Sequence, residues 1–184
     1  MAHLLPFRVS TACFLTVALL LSGCCANNVC NCQDEQADAI KLRFSPRFAT
    51  ADLDTIIIQR SPLPYSPTTK PETVTLVRTA ARVRDSVVIN NTTPFAQAGT
   101  AKLNKYRYVV QYLGQAPQSK PVPTTVLVID SIRLAGSLDG NGCCTCYTNT
   151  QKTVYATRPK RNSAAADSAF VIDLKQKPYI ELVK

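Results

Sequence analysis

The sequence predicts an all-β protein, and more specifically an antiparallel, immunoglobulin-like β-sandwich of about nine short strands. Short apolar or alternating segments recur between residues 40 and 183, and turn-forming residues separate them. Prolines cluster in the breaks and stay out of the expected strand interiors, as the hydrogen bonding of a sheet requires. The alanine-rich stretch at 162–167 is too short to build a helix of any consequence.

The expected strands follow one another along the chain. At 40–44, apolar residues alternate with polar ones, which is the period of a strand with one buried face. The β-branched run at 55–58 indicates a strand that is apolar on both faces, and threonines alternate with apolar residues at 73–76. Further strands are expected at 83–89, 106–113, 126–134, 153–157, 169–174 and 179–183.

Four stretches rich in turn-forming residues break the chain between these strands, at 61–67, 90–94, 117–123 and 138–142. Within the strand at 106–113, Tyr106, Tyr108 and Tyr112 fall on one face, so we expect them to pack in the sheet rather than to bind sugar. The body of the chain, residues 39–184, has the length of one domain of common size.

The N-terminus carries the pattern of an export signal. One positive charge, Arg8, precedes an uncharged apolar run at 14–21, and the small residues Ser22 and Gly23 follow it. Such a run is too short for a permanent transmembrane helix but has the length of the apolar core of a secretory signal peptide.

The sequence Leu21-Ser22-Gly23-Cys24 directly after this run resembles the lipobox of bacterial lipoprotein precursors. The resemblance implies that residues 1–23 form a cleaved signal peptide and that Cys24 becomes the lipidated N-terminus. The alternative is an ordinary signal peptide, or a buried apolar helix, with Cys24 as an unmodified thiol. Residues 24–38 are expected to form a flexible tether, and its polar stretch at 27–37 spans on the order of 35 Å when extended.

A diacylglyceryl cysteine anchors a protein firmly because it supplies more than one acyl chain. We therefore expect a protein of the cell envelope that is held on a membrane by lipid. In a Gram-negative bacterium we favour the outer membrane over the inner one.

The chain is basic, with a formal net charge of +9, and all but one of its charged residues lie beyond Cys24. A basic exported protein favours anionic partners, so an anionic glycan, a lipid or an envelope protein is expected, and nucleic acid is not. The densest cationic run contains Arg158, Lys160 and Arg161, which are the candidate anion-binding residues. A solvated loop is the alternative interpretation of this run.

The cysteines beyond Cys24 form two groups, one in the tether and one after the glycines at 140 and 142. In an exported protein they are expected to form disulfides between the two groups, because adjacent cysteines rarely bond to each other. The candidate residues are Cys25, Cys30, Cys32, Cys143, Cys144 and Cys146.

A second interpretation is a thiolate site in which four of these sulfurs bind zinc or copper. The C-x-C and C-C-x-C spacings differ from the usual zinc knuckle, and no histidine is present beyond His3. Apart from such a metal, no cofactor is expected. A redox role is a third interpretation, although Cys144 interrupts the only C-x-x-C spacing.

The histidine count also bears on catalysis. The only histidine of the chain, His3, lies in the expected signal peptide, so neither a Ser-His-Asp nor a Cys-His mechanism is open to the exported protein. Because no other catalytic motif is present, we expect no enzyme. The sequence favours a lipid-anchored envelope protein with a non-catalytic binding or structural sandwich, and a metal-binding or thiol-active lipoprotein is the alternative.

Overall fold

The structure, a computed structural model, describes residues 30, 32–114, 120–141, 144–160 and 167–184. The predicted signal peptide and the predicted lipidation site at Cys24 lie outside these residues. A single helical turn, α1, precedes the strands, and short 3-10 turns lie at Thr50–Asp52 and Leu103–Lys105. The elements are α1 Asp34–Ala37, β1 Ile40–Phe44, β2 Thr55–Pro62, β3 Glu72–Val77, β4 Val87–Ile89, β5 Tyr106–Gly114, β6 Val122–Asn141, β7 Cys144–Arg158, β8 Ser168–Asp173 and β9 Ile180–Leu182.

The strands form two sheets. The smaller sheet has the order β4-β1-β9, in which β1 pairs antiparallel with β4 and parallel with β9. The larger sheet has the order β3-β2-β5-β6-β7-β8, and all its pairs are antiparallel. The prediction of an all-β, sandwich-like protein is therefore confirmed.

One apolar core joins the two sheets. In β1 the residues at 40, 42 and 44 are buried and those at 41 and 43 are exposed, as the alternation predicts. In β5 Tyr106, Tyr108, Val110 and Tyr112 are all buried, which confirms that this row of tyrosines packs in the core. In β2 Ile56 and Ile58 are buried, whereas Ile57 between them is only partly covered.

The strand boundaries differ from the prediction at three places. β4 covers only 87–89 rather than 83–89, because residues 79–85 turn before the strand begins. β2 continues to Pro62, and its pairing with β5 extends into the predicted proline-rich break. β6 and β7 are much longer than predicted, and the expected break at 138–142 lies at the end of their hairpin.

The β6–β7 hairpin has two parts. Its base, residues 126–134 and 152–158, lies in the larger sheet, where β6 pairs with β5 up to Ile129 and β7 pairs with β8 from Thr153 to Arg158. Its outer arm, residues 135–141 and 144–151, continues as a two-stranded ribbon in which every residue from 135 to 140 is exposed. At roughly 3.3 Å per residue, the outer arm reaches about 20 Å beyond the base.

Candidate functional site

Two disulfides join the chain that precedes α1 to the end of the hairpin. Cys30 is bonded to Cys144 and Cys32 to Cys146, with Cα–Cα distances of 5.4 and 5.3 Å. Cys144 and Cys146 are two residues apart in β7, so their side chains lie on the same face of the ribbon. Since each bond joins residues 114 positions apart, the N-terminal segment runs alongside β7 in the same direction.

Four of the six candidate cysteines thus form bonds between the two groups. The other two, Cys25 and Cys143, lie outside the described residues. Within the described ranges, no group of three or more His, Cys, Asp or Glu is placed to hold a metal ion. The four bonded sulfurs carry no thiolate in this state, so a zinc or copper site built from them would require reduced cysteines.

A buried carboxylate adds a polar contact between the N-terminal segment and the hairpin. Asp38 is 1% exposed, and its oxygens accept hydrogen bonds from Asn149 Nδ2 at 2.7 Å and Asn91 Nδ2 at 3.4 Å. Lys102 Nζ lies 3.3 Å from the same carboxylate. Because a buried charge is costly unless it is paired and hydrogen-bonded, these three partners fix the position of the segment before β1.

The side chain of Lys152, where the base of the hairpin meets the outer arm, contacts the backbone of the same segment. Its Nζ donates to the carbonyl oxygens of Ala37 at 2.9 Å and Ala39 at 3.0 Å. Burial lowers the pKa of Lys152, while the nearby carboxylate of Asp38 opposes that shift. The helical turn and the start of β1 are therefore tied to β7 by both covalent and polar contacts.

A shallow cleft of about 430 Å³ lies beside these contacts. Lys175 Nζ donates to the Asn149 carbonyl oxygen at 2.6 Å at its edge. Asn149 Oδ1 is buried and finds no hydrogen-bond partner among the described residues. The lining residues are Gln33, Gln36, Ala37, Thr148, Asn149, Lys152, Leu174 and Lys175.

The candidate anion-binding residues lie at the opposite end of the hairpin. Arg158 and Lys160 line a cleft of about 300 Å³ together with Lys184 and Ser168. Arg161 lies outside the described residues. The sequence therefore identified two cations that share one cleft, and it did not identify Lys184, which reaches them only through the fold.

These cations also have structural roles. Arg158 Nη2 donates to the Glu181 carbonyl oxygen at 3.1 Å, and the guanidinium lies 4.2 Å from the centroid of the Phe170 ring. Lys184 Nζ pairs with the buried carboxylate of Asp52. Lys160 is exposed and is the residue of this set with the most accessible charge.

The core contains a buried cation, Arg60, that the sequence did not predict. Arg60 is 6% exposed and lies between the rings of Phe95, at 4.7 Å, and Tyr106, at 4.5 Å. It donates to Glu72 at 2.8 Å and to the carbonyl oxygen of Ala96 at 2.9 Å. Position 60 borders a proline-rich stretch in the sequence, and no local pattern distinguishes it from a surface arginine.

No helix in the part of the chain that the structure describes is long and apolar enough to cross a membrane. No protein-family model matches this chain, and neither a curated protein nor a solved structure resembles it significantly.

Proposed function

We propose that this chain is a lipid-anchored protein of the cell envelope whose β-sandwich has a binding or structural role rather than a catalytic one. One structural observation supports the proposal above the others: the two disulfides at Cys30 and Cys32. Disulfides persist in the oxidising compartments outside the cytoplasm, which is where a lipobox would direct the chain.

The position of the disulfides sets the path of a force applied at the anchor. A pull at Cys24 reaches Cys30 and passes into Cys144 and Cys146 of β7. At these residues β7 pairs with β6 alone, and it pairs with β8 only from Thr153 to Arg158. The force therefore acts on the outer arm of the hairpin rather than on the short β1 strand.

The lipid anchor is tested by replacing Cys24 with serine. The variant should move from the membrane fraction to the soluble fraction, because serine cannot receive diacylglycerol as a thioether. Cys25→Ser is the matched control, since it changes the adjacent thiol and should leave the protein on the membrane. A Cys24→Ser protein that stays tightly membrane-bound would contradict the anchor.

We further propose that the anchor lies in the outer membrane and that the protein binds an anionic partner. The net charge of +9 supports an anionic glycan, a lipid or an envelope protein as the partner. Arg158 and Lys160, in the cleft at the end of the hairpin away from the disulfides, are the proposed anion-binding residues. Separation of inner and outer membranes by density, followed by detection of the protein, tests the location.

The immunoglobulin-like class of sandwich remains a proposal beside the confirmed two-sheet arrangement. It is supported by the number and shortness of the strands outside the hairpin. The six strands of the larger sheet are more than either sheet of a constant-type immunoglobulin domain holds. An experimental structure whose strand connections follow the Greek-key order would support the class, and any other order would reject it.

The alternative function is a metal-binding or thiol-active lipoprotein. It is supported by the adjacency of the two C-x-C pairs, which places four sulfurs in one small region. Native mass spectrometry of residues 25–184, purified without reductant or chelator, distinguishes the two functions. A mass about 6 Da below the reduced value means three disulfides and supports the structural role, whereas a metal adduct lost with chelator supports the alternative.

A further inference from the structure

We propose that the outer arm of the hairpin docks on the surface of the membrane that holds the anchor, with Leu138 in contact with lipid. The outer arm contacts the lipid headgroup layer rather than a protein. The inference rests on the proposed lipid anchor at Cys24 and adds to it an orientation of the domain on the membrane.

The chain between the anchor and the first disulfide is short. Six peptide steps separate Cys24 from Cys30, and at most they span about 20 Å. Cys30 is bonded to Cys144, the first residue of β7, which lies at the far end of the outer arm, and their Cα atoms are 5.4 Å apart. The end of the arm is therefore confined to within about 25 Å of the lipidated residue, less than the thickness of the hydrocarbon core of a bilayer.

The N-terminal segment runs from the end of the arm toward the sandwich. Cys30 bonds nearer the end of the arm and Cys32 bonds farther from it, so the chain enters at the end of the arm and runs toward the sandwich. An anchor attached at this end places the arm next to the membrane and the sandwich beyond it. The tether predicted to span residues 24–38 is thereby shortened, because the part after Cys30 is fixed to β7.

The outer arm carries little charge. Between Leu134 and Gln151 the only charged residue is Asp139, although 18% of the whole chain is charged. Bringing charged groups toward a low-dielectric surface costs free energy, and a ribbon with one charged residue keeps that cost small.

Leu138 is an exposed apolar side chain on the arm. It is 68% exposed and pairs with Tyr147 across the ribbon. Cys144 and Cys146 alternate with Tyr147 along β7, so Leu138 lies on the face opposite the disulfides. Its exposure and its position away from the bonded sulfurs leave it available for contact with the membrane.

The absence of tryptophan from the chain gives a direct test. The full chain is expressed with its signal, extracted in detergent and reconstituted into vesicles that contain brominated phospholipid, which quenches tryptophan fluorescence by contact. Leu138→Trp reports the outer arm. Val122→Trp is the matched control, because Val122 is 64% exposed on the same strand and lies about 50 Å away along it.

We expect the tryptophan at 138 to lose most of its emission and the tryptophan at 122 to keep nearly all of it. Equal quenching at both positions, or none at position 138 in vesicle-bound protein, would overturn the docking inference while leaving the lipid anchor intact. Protein that neither carries lipid by mass nor floats with vesicles would overturn the anchor itself, and the inference with it. Emission at 138 that shifts with protein concentration in the absence of lipid would overturn the inference in favour of a contact between two copies.

A second measurement tests whether the disulfides hold the outer arm near the lipid anchor. Replacing all six candidate cysteines by serine frees the segment up to Asp38, so the chain between anchor and sandwich spans up to about 50 Å. The variant should stay bound to vesicles through Cys24 and lose the quenching at position 138. Unchanged quenching would show that the disulfides do not hold the arm at the membrane.

Discussion

The base and the outer arm of the β6–β7 hairpin are built from the same two strands but are held by different forces. In the base, Ile129, Ile132, Val154 and Ala156 are buried between the sheets, and neighbouring strands pair on both sides. In the outer arm, every residue from 135 to 140 is exposed. The base is stabilised by apolar burial, whereas the arm is held by disulfides and by the polar contacts of Asp38.

The difference shows that a two-stranded ribbon outside the core needs a source of stability other than apolar burial. Two strands by themselves are marginally stable in water, because their backbone hydrogen bonds barely offset the loss of conformational entropy. Burial acts on the folded state, while a disulfide acts mainly by restricting the unfolded chain. The two halves of the hairpin should therefore respond differently to substitution.

The largest effect should come from removing both disulfides. Each closes a loop of 114 residues, which in the chain-entropy model is worth about 5 kcal/mol. Once one bond is present, the second closes only a small ring and adds about 2 kcal/mol. In a background with Cys25→Ser and Cys143→Ser, loss of either bond should cost about 2 kcal/mol and loss of both about 7 kcal/mol.

Urea unfolding of three disulfide variants measures these free energies. One variant carries Cys30→Ser with Cys144→Ser, the second carries Cys32→Ser with Cys146→Ser, and the third carries all four substitutions. Additive losses would mean that the two bonds do not constrain the same loop, and would remove the distinction drawn between arm and base.

The next largest loss of stability is expected from a substitution in the base of the hairpin. Ile129 is fully buried, so Ile129→Ala should lower the free energy of unfolding by about 2–5 kcal/mol through lost burial and the cavity that remains. Val171→Ala is the control, because Val171 is 60% exposed in β8 and its truncation should cost about 0.5 kcal/mol or less. Similar losses for the two variants would show that the base is not held by its core.

A smaller effect is expected where the arm begins. A Cβ on Gly136 would lie 2.5 Å from the Tyr147 ring and 2.6 Å from the carbonyl oxygen of Thr148, so Gly136→Ala forces the ribbon apart. We expect a loss of about 1–3 kcal/mol in thermal or urea unfolding. A Cβ on Gly140 in the same strand meets nothing within 4 Å, so Gly140→Ala should leave stability nearly unchanged.

The smallest effect is a pH dependence of opposite sign at two buried groups, Lys152 where the base meets the arm and Tyr108 of the neighbouring strand β5. Burial lowers the pKa of Lys152 below its ordinary value of 10.5, so the unfolded chain binds that proton more tightly. Its contribution to stability therefore increases as pH rises through the window just below 10.5. Burial raises the pKa of Tyr108 above 10.0, so its contribution is complete below pH 10.0 and is lost as pH rises beyond it.

Urea midpoints measured from about pH 8 to pH 11 separate these two contributions. Relative to the parent protein, Lys152→Met should lack the alkaline gain, and Tyr108→Phe should lack the alkaline loss. Tyr108→Phe also removes the hydrogen bond from Tyr108 Oη to the Leu103 carbonyl oxygen, which lowers stability at every pH. Parallel pH profiles for the two variants would contradict the opposite signs.

The sequence by itself determined the all-β, sandwich-like class and the position of nearly every strand. Alternation at 40–44 and the tyrosine row at 106–112 are local patterns, and a period of two follows directly from strand geometry. The two cysteine groups were also visible, and bonding between them was the simplest of the interpretations that they allowed. These features depend on neighbours in sequence, so they can be identified without the fold.

Only the tertiary structure decided the length of the hairpin and the pairing of its cysteines. The glycines and aspartate at 138–142 predict a break, but cross-strand pairing from Asn141 with Cys144 back to Val128 with Thr157 overrides that local preference. The contact of Asp38 with Asn149 joins residues 111 positions apart, and no local pattern encodes it. Burial, pairing and distance between remote residues depend on the whole chain, because sheet hydrogen bonds and disulfides form only between segments that the core has already brought together.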